Sequence, residues 1–400
     1  MSKNRLVLCV CTAEIFSLTA IMYFPALLPG FQAEWGLTNT EAGWISGIYY
    51  GGYAISVPIL VSLTDRMDSR RIYLVSAGLS AISLIGFGWL ARGTWTAAIL
   101  RLLAGVSFAG TYMPGLKALS DKVTGPDQSR AVAFYTSSIS VGTALSVFLA
   151  GWLSQGVGWR WAAGLMALGP IVGAVLFGMA VRPAKVQALA PEDRPSLLDF
   201  RPALRNRPVM GYMFGYAVHC WELFGFRSWL VAFLFFSSSL HPTADLGISL
   251  QNLATIIILA GVPASILGNE GALRWGRRRV IRTVMIVSGL LGSLIGFSAG
   301  LPFMFVVGFC FLYWIAATGD SGSLTAGMIS TSLNGERGRT MALYSFIGFS
   351  MAFLAPLAVG GLLDLSGGGI VGWGLAFAAL GLVQMTGPVW LKIFRSSREA

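Results

Sequence analysis

The sequence predicts an all-α integral membrane protein: twelve transmembrane helices arranged as two pseudo-symmetric six-helix bundles. Three observations lead there: an apolar composition, apolar runs of membrane-spanning length, and a repeat relating the two halves of the chain. Of the 400 residues, 55% are hydrophobic and 11% charged, against about 25% charged in an ordinary soluble domain. A water-soluble chain this apolar would expose large greasy patches. The 50 glycines agree, because closely packed membrane helices favour small residues at their contacts.

A hydrocarbon core of roughly 30 Å takes about 20 apolar residues per helix. Such runs occur at 6–28, 41–63, 72–91, 95–115, 131–153 and 161–181, then at 210–236, 250–269, 283–300, 302–326, 341–363 and 370–391. The first continues to Leu28 without a small-residue cleavage site, so it is expected to be a span and not a leader. With the N-terminus inside, only Arg92 and Arg160 of the 28 Lys and Arg fall outside, and only Arg101 and Arg227 lie within spans. This is the positive-inside pattern. It predicts a multi-pass protein of the plasma (inner) membrane with both termini cytoplasmic. The net charge of +11 then reflects topology and attraction to membrane lipids, and a nucleic-acid partner is not needed.

Cys9, Cys11, Cys220 and Cys310 all lie in apolar runs, without the spacing of a disulfide framework or metal site. There is no phosphate-cradling Gly-Lys-Ser/Thr loop and no nucleophile–base pair in a soluble segment. An ATP-driven pump or an enzyme would lack its machinery, and no cofactor or metal is expected. A monomer is expected.

The longest polar stretch, 182–207, holds Pro183, Pro191, Pro195 and Pro202 among its basic residues, as suits a cytoplasmic linker. The expected domains are a bundle at 1–181, this linker, and a bundle at 208–400. The bundles match in register. At an offset of 208, Glu14 falls on Glu222, Phe16 on Phe224, Arg66 on Arg274, Arg70 on Arg278 and Arg71 on Arg279. At 209, Arg130 falls on Arg339, Tyr135 on Tyr344 and Gly151 on Gly360. Parallel halves of this kind are a transporter architecture.

The loop after the second span reads Val61-Ser-Leu-Thr-Asp-Arg-Met-Asp-Ser-Arg-Arg71. It resembles the signature loop of the major facilitator superfamily, G-x-L-x-D-R-x-G-R-R-R. Leu63, Asp65, Arg66, Arg70 and Arg71 match, while Val61 and Asp68 stand where that loop has glycine. The corresponding loop of the second half, Leu273-Arg-Trp-Gly-Arg-Arg-Arg279, supplies Gly276 and the triple arginine but lacks the acid. Arg101-x-x-x-Gly105 and Gly158-Trp-Arg-Trp161 are similar to further family patterns. The Gly-Pro motif typical of the antiporters is missing from 140–152, which disfavours drug/proton antiport. The resemblance implies secondary transport by alternating access, with Asp65, Arg66, Arg70, Arg71, Arg274 and Arg278 in a cytoplasmic gate. It also places Asp65 near the N-terminal end of the eleventh helix, where the dipole favours an anion.

Charges inside the spans are few: Glu14, Arg101, Glu222, Arg227 and Asp320, with His219 one turn before Glu222. Each costs about 2.5–3.5 kcal/mol at mid-membrane, so each needs a partner, a water cavity or a task. They fall on spans one, four, seven and ten, which line the central cavity in the fold this chain resembles. His219 and Glu222, at i and i+3, share a helical face and could exchange a proton; a static hydrogen bond tying the seventh span to a neighbour is the alternative. Arg227 lies roughly 7.5 Å beyond Glu222 and about 140° around the helix, facing another helix or a substrate. Arg101 and Arg227 could bind an anion or neutralise the three acids. Tyr23, Tyr49, Tyr50, Trp221, Tyr313 and Trp314 lie at similar depth, and Gly43-x-x-x-Gly47-x-x-x-Gly51 offers a close-packing face. The expected function is proton-coupled symport of a small polar or anionic solute. The alternatives are a proton-coupled exporter or exchanger of the same fold, or a non-transporting assembly or lipid-handling protein.

Overall fold

The computed structural model describes residues 2–64, 66–123, 126–183, 200–241, 247–333 and 337–395. No strand occurs among them. Ten helical stretches among the described residues are long and apolar enough to cross a membrane. The longest, residues 130–180, holds the expected fifth and sixth spans. Within it α7 (Pro126–Met166) breaks at Gly158, with φ 79° and ψ 159°, before α8 (Leu168–Ala180). Only glycine enters that backbone region readily, which explains the glycine of Gly158-Trp-Arg-Trp161. The first span is not one helix. It runs as α1 (Lys3–Ser17), a tight turn at Leu18–Ala20, α2 (Tyr23–Ala26) and α3 (Leu28–Trp35). Counting these two cases gives twelve spans.

The others are α4 (Asn39–Leu63), α5 (Ser69–Leu90) and α6 (Thr94–Lys122) in the first half. After the short α9 (Arg201–Arg205) come α10 (Arg207–Ser239), α11 (Leu250–Trp275) and α12 (Arg277–Ile295). The tenth span is broken into α13 (Phe303–Thr318) and α14 (Ser321–Thr331). α15 (Arg337–Leu365), α16 (Gly369–Gln384) and α17 (Gly387–Ile393) complete the chain. Large apolar side chains stand exposed on these helices, among them Val75, Met179, Leu267 and Phe305, as a hydrocarbon surround requires.

The chain forms two compact units: residues 1–24 with 48–198, and residues 25–47 with 199–400. In the first unit α1 packs on α7 and α8. Gly169 and Gly173, four apart on α8, lie against the carbonyls of Phe16 and Ala13, so any side chain there would push α1 away. In the second unit the start of α4 lies against α15 in the same manner. Gly43 and Gly47 meet the backbone of Pro356 and Phe353, and Gly360 meets the carbonyl of Asn39. Asp364, near the end of α15, accepts from Asn39 N at 3.1 Å and Nδ2 at 2.8 Å, and from Thr40 N at 2.7 Å and Oγ1 at 2.6 Å. A carboxylate is thus seated on the positive end of α4.

Candidate functional site

All five in-membrane charges and His219 are buried in their own units, between 0% and 3% exposed, so each has been taken out of contact with solvent. In the first unit Glu14 Oε2 accepts from the Tyr135 hydroxyl at 3.0 Å. The same hydroxyl lies 2.9 Å from the Tyr112 carbonyl, and Tyr73, held by Ser17 Oγ at 2.9 Å, also neighbours Glu14. Glu14 Oε1 has no hydrogen-bond partner.

Arg101 does not pair with Glu14. Its Nη1 donates to the Ala20 carbonyl at 2.7 Å and its Nη2 to the Ile21 carbonyl at 3.0 Å. These carbonyls belong to the interruption of the first span, where no helical N–H serves them. Ser146 closes the same break, accepting from Met22 N at 3.0 Å and donating to the Thr19 carbonyl at 2.6 Å. The Arg101 guanidinium also lies 4.4 Å from the centre of the Tyr49 ring. Arg101 is therefore committed to the backbone, and neutralising an acid is not its part.

In the second unit the expected His219–Glu222 pair does not form. His219 Nδ1 lies 2.8 Å from Asp320 Oδ1. Glu222 Oε2 instead accepts from Ser288 Oγ at 3.0 Å, and Gln384 Nε2 stands 3.5 Å from that hydroxyl. The reason is the break in the tenth span. The helix stops at Gly319, and Asp320 takes the N-cap position of α14 without a side-chain capping bond, so its carboxylate sits at a helix N-terminus beside α10. Gly268 permits the break to pack closely, for a Cβ there would meet the Gly319 carbonyl. Glu222 remains electrostatically close to Asp320 and to Tyr313. Glu222 Oε1 and Asp320 Oδ2 have no hydrogen-bond donor. Carboxylates with such oxygens can gain or lose a proton without breaking a protein hydrogen bond.

Arg227 stands apart. Its guanidinium lies 4.4 Å from the centre of the Phe224 ring, and its Nε and Nη2 are buried without any hydrogen-bond partner. Neither buried arginine is paired with a buried acid, so the neutralising alternative fails for both.

Among the loop residues, Asp65 lies outside the described residues. Arg66, Arg71 and Arg274 are exposed, and Arg278 is half-buried with its guanidinium 5.9 Å from the Tyr212 ring centre. Arg70 donates from Nη2 to the Gly178 carbonyl at 3.0 Å, tying down the C-terminal end of α8. Asp68, standing where the signature has glycine, accepts from Arg70 N at 3.0 Å and caps α5. Of the aromatics, Tyr23, Trp221 and Trp314 donate to the carbonyls of Trp159, Ala379 and Ile258, which is a packing role. Sequence reasoning missed Ser288 and Gln384. The amide of Gln384 inside an apolar span was a readable signal; Ser288 gave none.

The family model described as Major Facilitator Superfamily matches residues 10–269, more than half of the chain. Among curated relatives, "Probable sphingolipid transporter spinster homolog 1" of Arabidopsis thaliana is 26% identical over 164 residues, 41% of this chain and 33% of that one. The "Gallate transporter" of Pseudomonas putida is 28% identical over 143 residues, 35% and 31% of the two chains. The chain thus spans about a third of the length of these relatives. Among solved structures, a bacterial homolog to the human lysosomal transporter Spinster, inward-facing and occupied, aligns with a TM-score of 0.69. That alignment covers 98% of this chain and 95% of the other at 14% identity, so the likeness is one of fold.

Proposed function

Because the chain belongs to the major facilitator superfamily, we propose that it is a secondary transporter that carries a small polar or anionic solute together with protons. The observation behind the proton is the buried group His219, Asp320 and Glu222: two acids, one imidazole, and no arginine bound to either acid. In lipid such a group is costly unless it changes protonation as part of its work. Glu222 is the proposed carrier, since one of its oxygens meets no donor, and the His219–Asp320 pair is its neighbour and relay. Glu14, at the equivalent place in the other half, is the second candidate. The halves 1–181 and 208–400 would rearrange about the linker 182–207 so that the site opens to one side at a time. Asp65, Arg66, Arg71, Arg274 and Arg278 would close the cytoplasmic side, with Arg70 anchoring the loop to α8. The proposal includes an inner-membrane monomer with cytoplasmic termini.

The names of the relatives, one for a sphingolipid and one for gallate, differ too much to choose a solute. Thermal-shift screening of the purified protein against a metabolite library would find one, because a ligand of the folded state raises apparent stability. In reconstituted vesicles an inward proton gradient should then drive its accumulation. Glu222→Gln should abolish accumulation yet keep exchange of internal for external solute. Unimpaired proton-driven accumulation by Glu222→Gln removes this residue from the mechanism. Accumulation driven only by the opposite gradient makes the protein an exporter.

A further inference from the structure

Arg227 is 3% exposed, its Nε and Nη2 touch no acceptor, and no acid neutralises it, because Asp320 faces His219 and Glu222 faces Ser288. The other buried arginine shows what a structural guanidinium looks like in this protein: Arg101 spends Nη1 and Nη2 on two backbone carbonyls of a broken helix and leaves only Nε without a partner. Arg227 has no such employment. A desolvated cation with empty donors is kept where an anion comes and goes.

What lies beside it is aromatic. The guanidinium stacks over Phe224 at 4.4 Å, and the Phe224 ring meets Phe349 at 5.3 Å. Phe353, one turn along α15 from Phe349, meets Trp44 at 5.4 Å. A row of rings therefore leads away from the cation within the second unit. We infer that Arg227 and this row form the binding site for an aromatic carboxylate bearing a single negative charge. The carboxylate would take the fork of Arg227, and the flat apolar body would lie along Phe224, Phe349, Phe353 and Trp44. The charge is single because one unpaired cation stands there, and a dianion would leave half its charge buried and uncompensated. The inference rests on the transporter reading for its purpose, but binding is measurable without transport.

The test is binding to the purified full-length protein by calorimetry, with benzoate, phenylacetate and 3-phenylpropionate as probes. Benzamide serves as the uncharged match, acetate as the ringless one and inorganic phosphate as the more highly charged one. At least one aromatic carboxylate should bind, and benzamide, acetate and phosphate should bind at least about tenfold more weakly. Arg227→Gln should lose about tenfold or more in affinity for that acid, and Arg227→Lys should keep part of it. Because Arg227→Gln removes an unpaired buried charge and breaks no hydrogen bond, it should fold, and its melting temperature checks that it does. Equal binding of acid and amide, undiminished binding by a folded Arg227→Gln, or binding by none of the three acids overturns the site. Vesicle assays separate the two readings. Binding as expected with no accumulation under any gradient defeats transport and leaves the site standing. Gradient-driven accumulation of another solute by Arg227→Gln at the wild-type rate defeats the site and leaves transport standing.

Discussion

Arg101 and Arg227 carry the same charge at the same burial, and what separates them is the backbone each meets. Arg101 reaches carbonyls that a helix break has stripped of their N–H partners, so its charge-assisted bonds hold α6 to the break that follows α1. Arg227 stands within the unbroken α10, whose interior carbonyls are already served, and its Nε and Nη2 stay empty. Opposite consequences are expected for stability. Arg101→Met leaves the Ala20 and Ile21 carbonyls unpaired in an apolar setting and should cost about 2–4 kcal/mol. Arg227→Gln forfeits no bond and should stay within about 1 kcal/mol of wild type. Unfolding of both variants in the same detergent gives the comparison; equal losses would show that charge alone, and not the break, fixes Arg101.

At the scale of the element, the breaks do what straight helices do not: they present polar backbone inside an apolar layer. The first span breaks at Leu18–Ala20 and the tenth at Gly319 and Asp320, each next to a buried charge. The first break was not legible in the sequence, because the apolar run continues through it and hydropathy registers length, not backbone; at the second only the charge of Asp320 was read, not the break it sits on. The charges were legible for the opposite reason: Glu14, Glu222 and Asp320 interrupt apolar runs. Their partners were not, since Tyr135 and Ser288 are neutral residues whose part is set by which helix lies opposite. The i, i+3 spacing of His219 and Glu222 placed both on one face correctly, yet the neighbouring helix offered His219 a better partner in Asp320. The contact of α4 with α15 is a further element-scale device, in which glycines allow backbone approach and Asp364 caps the helix start. Asp364→Ala should cost about 1–2 kcal/mol, as other lost N-caps do. Amide exchange should quicken at residues 39–44, and unchanged exchange there would mean that the glycine packing holds α4 unaided.

For the whole molecule, the decisive asymmetry is that of charge. Lys and Arg flanking spans resist transfer across the membrane, so their distribution fixes orientation before any helix packs. The anchoring of Arg70 to Gly178 and of Arg207 to the Ile393 carbonyl adds a second reason for their placement: each also caps the end of a neighbouring helix. Topology and packing thus ask for basic residues at the same ends of the helices. The expected outcome is direct. Cys9 and Cys11 are only half-buried, so the four native cysteines are first replaced. Single cysteines are then introduced at Ser2, at the exposed Leu204 of the linker helix, and at Arg92 between the third and fourth spans. A membrane-impermeant maleimide applied to intact cells should label position 92 and spare positions 2 and 204 until the membrane is opened. Labelling of position 2 or 204 from outside would invert the orientation. It would move Arg66, Arg71, Arg274 and Arg278 to the outer face, and the cytoplasmic gate would have to be abandoned with it.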